Sequence, residues 1–363
     1  MADRDDYALV SATAAEVAAP DLPYRPPHPK TPHRIALVGA GGISFAHLDA
    51  YRTHGFEVAA ILSRDPAKAR ARADEFFPTA DVMTDYAALL ARPDITVIDL
   101  TPHPDERLPL IEAALQAGKH VLSQKPFVTD LDTGQRLCDL ARARGVKLAV
   151  NQNGRWAPHM AWMRAAVRAG LIGQVTGVHC SLHWNHLWIK DTPFEQVPDL
   201  VLFDFGVHWF DFVTSITGRL ADRVQAQAVH TPAGVKPAML ASALLDFGSA
   251  QASLIFDAAT PFGAFDMTYI AGTKGSLISR GPNLGNQAVE LFNEHGVARP
   301  HLDGQWFNDG FAGAMGELLC AIEADREPEN GAEGNLMSLA NCFAALQAAA
   351  TGQPQRPGAV RRR

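Results

Sequence analysis

The sequence predicts a two-domain α/β protein: a doubly wound N-terminal domain on a parallel sheet, then an α/β domain with a large, mainly antiparallel sheet. Three observations carry that expectation. The chain has 363 residues, more than one hydrophobic core usually supports. From residue 34 to about 151, short apolar runs alternate with helical patterns, as in parallel βα units. Beyond residue 220, strand-like runs follow one another through glycine-containing turns, which implies antiparallel pairing.

The elements can be justified in order. Arg34-Ile35-Ala36-Leu37-Val38 is a short apolar run fit for a strand buried on both faces. A glycine-rich turn and a helix to about His54 follow. Strand runs at 57–62, 95–100, 120–123 and 147–151 then alternate with helical runs at 66–76, 86–91, 108–117 and 130–144. The domain junction falls at 151–155. After it come a helix at 158–169, a longer strand at 175–184, a loop rich in Trp and Pro, and a helix at 207–217. Strands are expected at 224–229, 239–246, 251–256, 265–271 and 277–279, and closing helices at 310–323 and 335–350. The chain thus divides into a first domain at 33–153, a second at 154–355 and a tail at 356–363. Residues 1–32, with six prolines from Pro20 to Pro32, are expected to be a mobile extension or an arm packed on a neighbouring subunit.

Composition narrows the class of protein. With 47% apolar and 20% charged residues, the chain is neither disordered nor fibrous. A net charge of −7 without a basic stripe argues against nucleic acid as a partner. Arg361-Arg362-Arg363 reads as the end of a solvated tail. Cys138, Cys180, Cys320 and Cys342 form no C-x-x-C pair, which suits a reducing cytoplasm rather than a disulfide framework or zinc clip. The acidic start Met1-Ala2-Asp3-Arg4-Asp5-Asp6 is unlike a secretory signal, and no apolar run approaches membrane-spanning length. No membrane partner is expected.

The turn after the first strand carries chemistry. In Val38-Gly39-Ala40-Gly41-Gly42-Ile43-Ser44, Gly39 permits a tight turn, and Gly41 lets backbone approach a pyrophosphate at the helix N-terminus. Ser44 stands where a third glycine is usual. Between a strand and a helix, this pattern predicts a dinucleotide site with Gly39, Gly41, Gly42 and Ile43 in contact with the cofactor. Where an acidic residue would bind the ribose of NAD, the second strand ends in Ser63-Arg64-Asp65, with Lys68 one turn further on. Ser63, Arg64 and Lys68 favour NADP(H) over NAD(H), because Arg is a bidentate phosphate ligand; Asp65 keeps NAD(H) open.

Three further segments give the sequence a resemblance to a known family. They are Asp99-Leu100-Thr101-Pro102-His103 with 113–122 after it, Gln124-Lys125-Pro126, and Asp204-Phe205-Gly206-Val207-His208-Trp209-Phe210-Asp211. Together with the turn at 270–277, they resemble the glucose–fructose oxidoreductase, inositol dehydrogenase and rhizopine catabolism (Gfo/Idh/MocA) family from about Arg34 to the last helix. Gln124-Lys125-Pro126 looks like the family's E-K-P signature, and 204–211 matches its D-x-G-x-H-x-x-D pattern. The resemblance implies that Lys125, Asp204 and His208 meet at the nicotinamide as a catalytic group, with Thr101, Pro102, His103, Gln124 and Lys125 beside the cofactor. It also implies a sugar, sugar derivative or cyclitol as substrate, and dimers or tetramers formed through the C-terminal sheet. The chemistry is coherent. Oxidising a carbinol requires removal of its hydroxyl proton, which a histidine can accept, while a lysine polarises the oxygen. Asp204 precedes His208 by four residues, so in a helix the two share a face and can hold substrate together. Asp211 is expected to pair structurally. Gln124 in place of the acidic residue, and Glu106 where a histidine is frequent, depart from the pattern.

The substrate side is read from the residues alone. Asn153, Arg155 and Trp156 follow the last parallel strand, where such sheets place ligands, so Asn153 is assigned to the cofactor and Arg155 and Trp156 to the substrate. If 175–188 is extended, His179 and His183 face one way, and Trp184, His186 and Trp188 the other. Trp184, His186 and Trp188 then suit a carbohydrate pocket, with Trp184 and His186 assigned to the substrate. The same run would also serve as an interface sheet, or as a metal site, although no carboxylate or cysteine completes a short-spaced set and no metal is expected. The expected function is hydride transfer between a nicotinamide cofactor and a sugar or cyclitol carbinol. The alternatives are a lyase, epimerase or glycoside-cleaving enzyme using transient oxidation, and a non-enzymatic dinucleotide sensor.

Overall fold

The structure, a computed structural model, describes residues 14–363. The acidic start at 1–6 lies outside the described residues. The arm that follows is not free. Strand β1 (Glu16–Val17) pairs in parallel with Val297 and Ala298. Arg25 bonds Asp303 at 3.0 Å, and the N–H groups of Lys30 and Thr31 donate to the Glu323 carboxylate at 2.9 and 2.7 Å. Prolines preset φ, so the arm has little freedom to lose on docking. The expectation of a mobile or neighbour-packed extension is therefore corrected for 14–32, which pack on their own chain.

The first sheet contains β2 (Arg34–Val38), β3 (Glu57–Leu62), β4 (Asp81–Met83), β5 (Val97–Leu100), β6 (His120–Ser123) and β7 (Leu148–Val150). Between them run α1 (Ser44–Thr53), α2 (Pro66–Phe76), α3 (Tyr86–Leu90), α4 (Pro104–Gln116) and α5 (Leu131–Arg144). All strand pairs are parallel, in the order β4-β3-β2-β5-β6-β7. The order reverses between β2 and β5, which opens a crevice at the strands' carboxyl ends. The strands are apolar on both faces because helices cover both.

The second sheet is built from β8 (Val175–His183), β9 (Arg223–Val229), β10 (Leu240–Asp246), β11 (Gln251–Asp257), β12 (Phe265–Gly272), β13 (Gly275–Asn283), β14 (Asn286–Asn293) and β15 (Gly296–Ala298), with β1 on its edge. It is mixed: β8 pairs β11 in parallel and β12 antiparallel. Helices α6 (Pro158–Arg168), α7 (Val207–Thr217), α8 (Trp306–Glu323) and α9 (Ala332–Thr351) complete the chain. Val178, Cys180, Leu182 and Leu254 bury one face of this sheet, while Leu244 and Ile255 on the other face are exposed.

Two boundaries depart from expectation. The division at 153/154 does not divide the core. Phe311, Met315 and Leu318 of α8 pack with Ile35, Leu37 and Leu48 of the first domain, so a helix late in the sequence completes the early core. The tail is also bound rather than solvated. Leu131 N–H donates to the Arg361 carbonyl at 2.9 Å, Arg361 Nε bonds Asp132 at 3.0 Å, and Arg363 N–H reaches the Thr129 carbonyl at 3.1 Å. The three arginines find carboxylates and carbonyls at the start of α5, where helix N-terminal acids are favourable.

Candidate functional site

The dinucleotide turn is locked from one side and open on the other. Gly39 has φ +101°, and a Cβ there would lie 2.5 Å from Thr101 Oγ1, so only glycine fits. The Thr101 hydroxyl spans the Val38 and Gly39 carbonyls at 3.0 and 2.8 Å, joining the T-P turn to the glycine turn. At Gly41 and Gly42, by contrast, no atom lies within 4 Å of a Cβ position. No side chain caps α1. The N–H groups of Ser44, Phe45 and Ala46 turn back onto the Gly41, Gly42 and Ile43 carbonyls at 3.3, 3.4 and 3.0 Å, while those of Gly41, Gly42 and Ile43 have no acceptor among the described residues and can face an anion. Ser44 is buried, with its hydroxyl on the Gly41 carbonyl at 2.6 Å, in the place of the third glycine. The residues present therefore fit a diphosphate.

At the adenosine end, Asp65 is occupied: its carboxylate caps α2 through the N–H groups of Ala67 and Lys68 at 3.0 and 3.4 Å. Arg64 is exposed and paired with Glu106 at 2.9 Å, and Lys68 is exposed on α2. His103 starts α4 without a side-chain cap.

At the nicotinamide end, Lys125 follows β6, and its Nζ donates to the Asp204 carbonyl at 2.8 Å and the Asp204 carboxylate at 3.3 Å. Asp204 lies in a π-helical turn, Leu200–Phe205, that runs through Gly206 into α7. A single wide turn of this kind often marks a functional position. His208 is in the first turn of α7, half-buried, with Nδ1 buried and unpartnered. Burial, reinforced by the charge of Lys125, holds its imidazole well below the ordinary range. The predicted trio is thus brought together: Lys125 touches Asp204 and acts electrostatically on His208.

Not every expected contact is there. Arg155 is buried in a fork with Asp211, at 2.6 Å from Nε and 2.8 Å from Nη2, and its Nη1 donates to the Glu329 carbonyl. Trp156 packs on Gly313 of α8 beneath the arm and is 6% exposed. Both were expected at the substrate; both close the core instead, because a buried guanidinium requires its own carboxylate. Asp211 is the structural partner it was expected to be. Asn153 is buried with Oδ1 unpartnered.

An aromatic wall leads away from His208. Trp306 lies edge-on to it at 5.9 Å and stacks on Trp209, which meets Trp184 at 5.4 Å; His186 follows at 5.3 Å and exposed Trp188 at 6.1 Å. Strand β8 ends at His183 rather than continuing to Trp188, since Leu187–Ile189 is a 3-10 turn. The two-faced division still holds in part. His179 and His183 lie on the sheet's open face, bonded to Ser253 and Asp257 at 2.7 Å each. Among the described residues, no three His, Cys, Asp or Glu side chains are grouped to hold a metal ion.

Sequence reasoning missed two buried polar residues. Arg107 donates from Nη1 to the Pro102 carbonyl at 2.6 Å and from Nη2 to the Pro126 carbonyl, tying the T-P turn to the Lys-Pro turn; burial lowers its guanidinium to about 9. A charge on the buried stripe it shares with Ile111, Ala114 and Leu115 was the legible sign. His47, on α1 behind the glycine turn, gave no such sign.

Comparison with known proteins agrees with this geometry. Residues 33–152 match the family model described as oxidoreductase family, NAD-binding Rossmann fold, and residues 160–278 match the GFO/IDH/MocA C-terminal domain. The chain is 29% identical over 334 residues to 1,5-anhydro-D-fructose reductase of Ensifer adhaerens, covering 88% of this chain and 97% of that protein. It is 25% identical over 349 residues to D-apiose dehydrogenase of Rhizobium rhizogenes, covering 90% and 97%. An Agrobacterium radiobacter oxidoreductase, solved with NAD+, L-tartaric acid and magnesium, shares the fold with a TM-score of 0.80 at 22% identity, over 91% of this chain and 99% of that one. With both domain models matched in order over most of its length, the chain belongs to the GFO/IDH/MocA family of oxidoreductases.

Proposed function

We propose that this protein catalyses reversible hydride transfer between a nicotinamide dinucleotide and a secondary alcohol or ketone of a sugar, sugar derivative or cyclitol. The observation that carries the reading is the convergence of Lys125, Asp204 and His208 beyond the open end of a glycine turn fit for a diphosphate. Its relatives named for anhydrofructose and apiose support the substrate class.

A nicotinamide dinucleotide held at the Gly39–Ile43 turn would supply the hydride acceptor for the carbinol carbon. His208 accepts the hydroxyl proton as the C=O bond forms, and its lowered basicity keeps it neutral for that task. Lys125 has three hydrogens. Two are directed at Asp204, which leaves one for the substrate oxygen. The second Asp204 oxygen is available to a neighbouring hydroxyl, and Trp184, His186 and Trp188 offer flat faces to a sugar ring.

The preferred cofactor is NADP(H). Asp65 is engaged in capping, and a 2′-phosphate would take the exposed Arg64 from Glu106. The decisive experiment screens sugars and cyclitols while following nicotinamide absorbance with NADP and NAD. Lys125→Ala and His208→Ala should each lower kcat about 10²- to 10⁴-fold. Unchanged turnover in either variant removes the mechanism, and equal or better kcat/KM with NAD removes the cofactor preference.

The same reading extends to assembly and location. Exposed Leu244, Ile255 and Phe265 on the open sheet face support a homodimer or homotetramer formed there. Light scattering should give a multiple of the chain mass that Leu244→Asp with Ile255→Asp reduces to one chain; a monomeric wild type would end that proposal. No helix among the described residues is long and apolar enough to cross a membrane, and Cys138, Cys180, Cys320 and Cys342 are free thiols, which supports a cytoplasmic location.

A further inference from the structure

Beneath the Lys125 turn lies a closed polar cluster that the proposed reaction does not use. It consists of His47 and Tyr51 from α1, Asp99 from β5, Gln124 at the end of β6 and Asn151 at the end of β7, all buried. His47 Nδ1 is 2.7 Å from Asp99 Oδ2, and the Tyr51 hydroxyl donates to that same oxygen at 2.7 Å. On the other edge of the ring, Nε2 is 3.1 Å from Gln124 Nε2 and 3.3 Å from Asn151 Nδ2. Phe311 closes the space, its centroid 4.5 Å from that of His47.

One bond orients the rest. The Lys125 backbone N–H is a donor only, and it donates to Gln124 Oε1 at 2.6 Å. The Gln124 amide must therefore turn its NH₂ toward His47. An NH₂ gives hydrogens and offers no lone pair, so His47 Nε2 is the acceptor and the ring hydrogen sits on Nδ1, donated to Asp99. Asn151 presents its NH₂ to the same nitrogen.

We infer that His47 is a positioning residue for Lys125: an Nδ1–H imidazole anchored on Asp99 holds the Gln124 amide, which in turn holds the Lys125 backbone. Residues 47 and 124 are a matched pair, and this rests on Lys125 facing the substrate as proposed above. The pairing accounts for Gln124 standing where the E-K-P pattern has an acid. A carboxylate there would set its lone pairs against the Nε2 lone pair unless the ring took a second proton. The ionisable groups facing the ring are Asp99 and Tyr51; burial, with Asp99 beside it, raises the Tyr51 phenol well above its ordinary range. Glutamine thus fixes the hydrogen-bond directions in the floor beneath Lys125.

The test reads the ring and the reaction separately in the full-length protein. In ¹⁵N spectra at neutral pH, wild-type His47 should have an unprotonated Nε2 and a protonated Nδ1. Gln124→Glu, of equal size, should show a doubly protonated ring, and its kcat should fall as pH rises and that proton is lost. His47→Leu should lower kcat about tenfold or more through misplacement of Lys125. His47→Gln, whose amide can face both Asp99 and Gln124, should restore kcat to within about threefold of wild type. A doubly protonated wild-type ring, or a Gln124→Glu enzyme with a wild-type pH profile, overturns the inference. If no sugar or cyclitol is turned over, the proposed reaction fails while the spectra still decide the pairing. If His47→Leu does not fold, Gln124→Glu carries the test.

Discussion

His208 and Lys125 were legible as residue types in a pattern, but the property that suits His208 to its task is not in the pattern. Its basicity is lowered by burial and then by the Lys125 charge, both consequences of folding. A proton acceptor must be neutral, and a depressed imidazole stays neutral to lower pH than a free one. In the oxidative direction, kcat/KM should therefore remain flat as pH falls through about 6.5, with its acid limb at lower pH. Lys125→Met, assayed at whatever rate remains, should move that limb upward by removing the charge. A wild-type limb at or above the ordinary histidine value would exclude His208 as the lone base. Arg155 illustrates the opposite case. Its place after the last parallel strand looked like a ligand position, but its carboxylate is Asp211, 56 residues away and visible only once the chain is folded.

Periodicity located most elements, because buried parallel strands and amphipathic helices each leave a repeating mark. It failed where tertiary partners override local character. Strand β14 includes Asn286, Gln287, Glu290 and Asn293 and does not read as a strand; Glu290 is buried because Arg280 and Arg299 reach it at 2.7 and 2.9 Å. The turn carrying Asp204 is a second case. Leu200, Val201, Leu202 and Phe203 are all buried, so no polar face marks the extra residue that widens the helix. Gly206 shows why the turn persists. A Cβ there would lie 2.6 Å from the Leu202 carbonyl oxygen and 2.8 Å from that of Val201. Gly206→Ala should therefore cost about 1–3 kcal/mol in denaturant unfolding and lower kcat more than it raises KM, because Asp204 and His208 shift together. A variant with wild-type stability and kcat would mean that the π turn is not needed to bring the pair together.

Across the whole molecule, the two sheets do not behave as separate bodies, because α8 completes the first core and the tail is tied to α5. Acid should therefore act on one cooperative unit. Burial lowers His159 to about 3 and His120 to about 4, and holds His208 well down. Each of these rings gains a proton in the unfolded chain near pH 6.5 but not yet in the folded one. Over that window the unfolded state binds more protons, so stability falls as pH falls, by about 1.4 kcal/mol per pH unit for each ring. Asp266 opposes them. Burial raises its carboxyl to about 7 despite the Trp184 indole N–H that donates to it, so there the folded state takes its proton first. These three rings, joined in the same direction by His179 and His186, whose imidazoles burial also lowers, outweigh the one carboxyl and leave a net loss of stability from about pH 6.5 to 4. Below that range Glu323, held down to about 2 by the Thr31 hydroxyl and the arm's N–H groups, adds its own loss as the arm's anchor is protonated. The melting temperature should thus decline steadily from pH 6.5 to 4.5, and Asp266→Asn should steepen the decline by removing the opposing proton. A flat profile in the wild type, or an unaltered slope in Asp266→Asn, would show that these buried groups do not set the acid response.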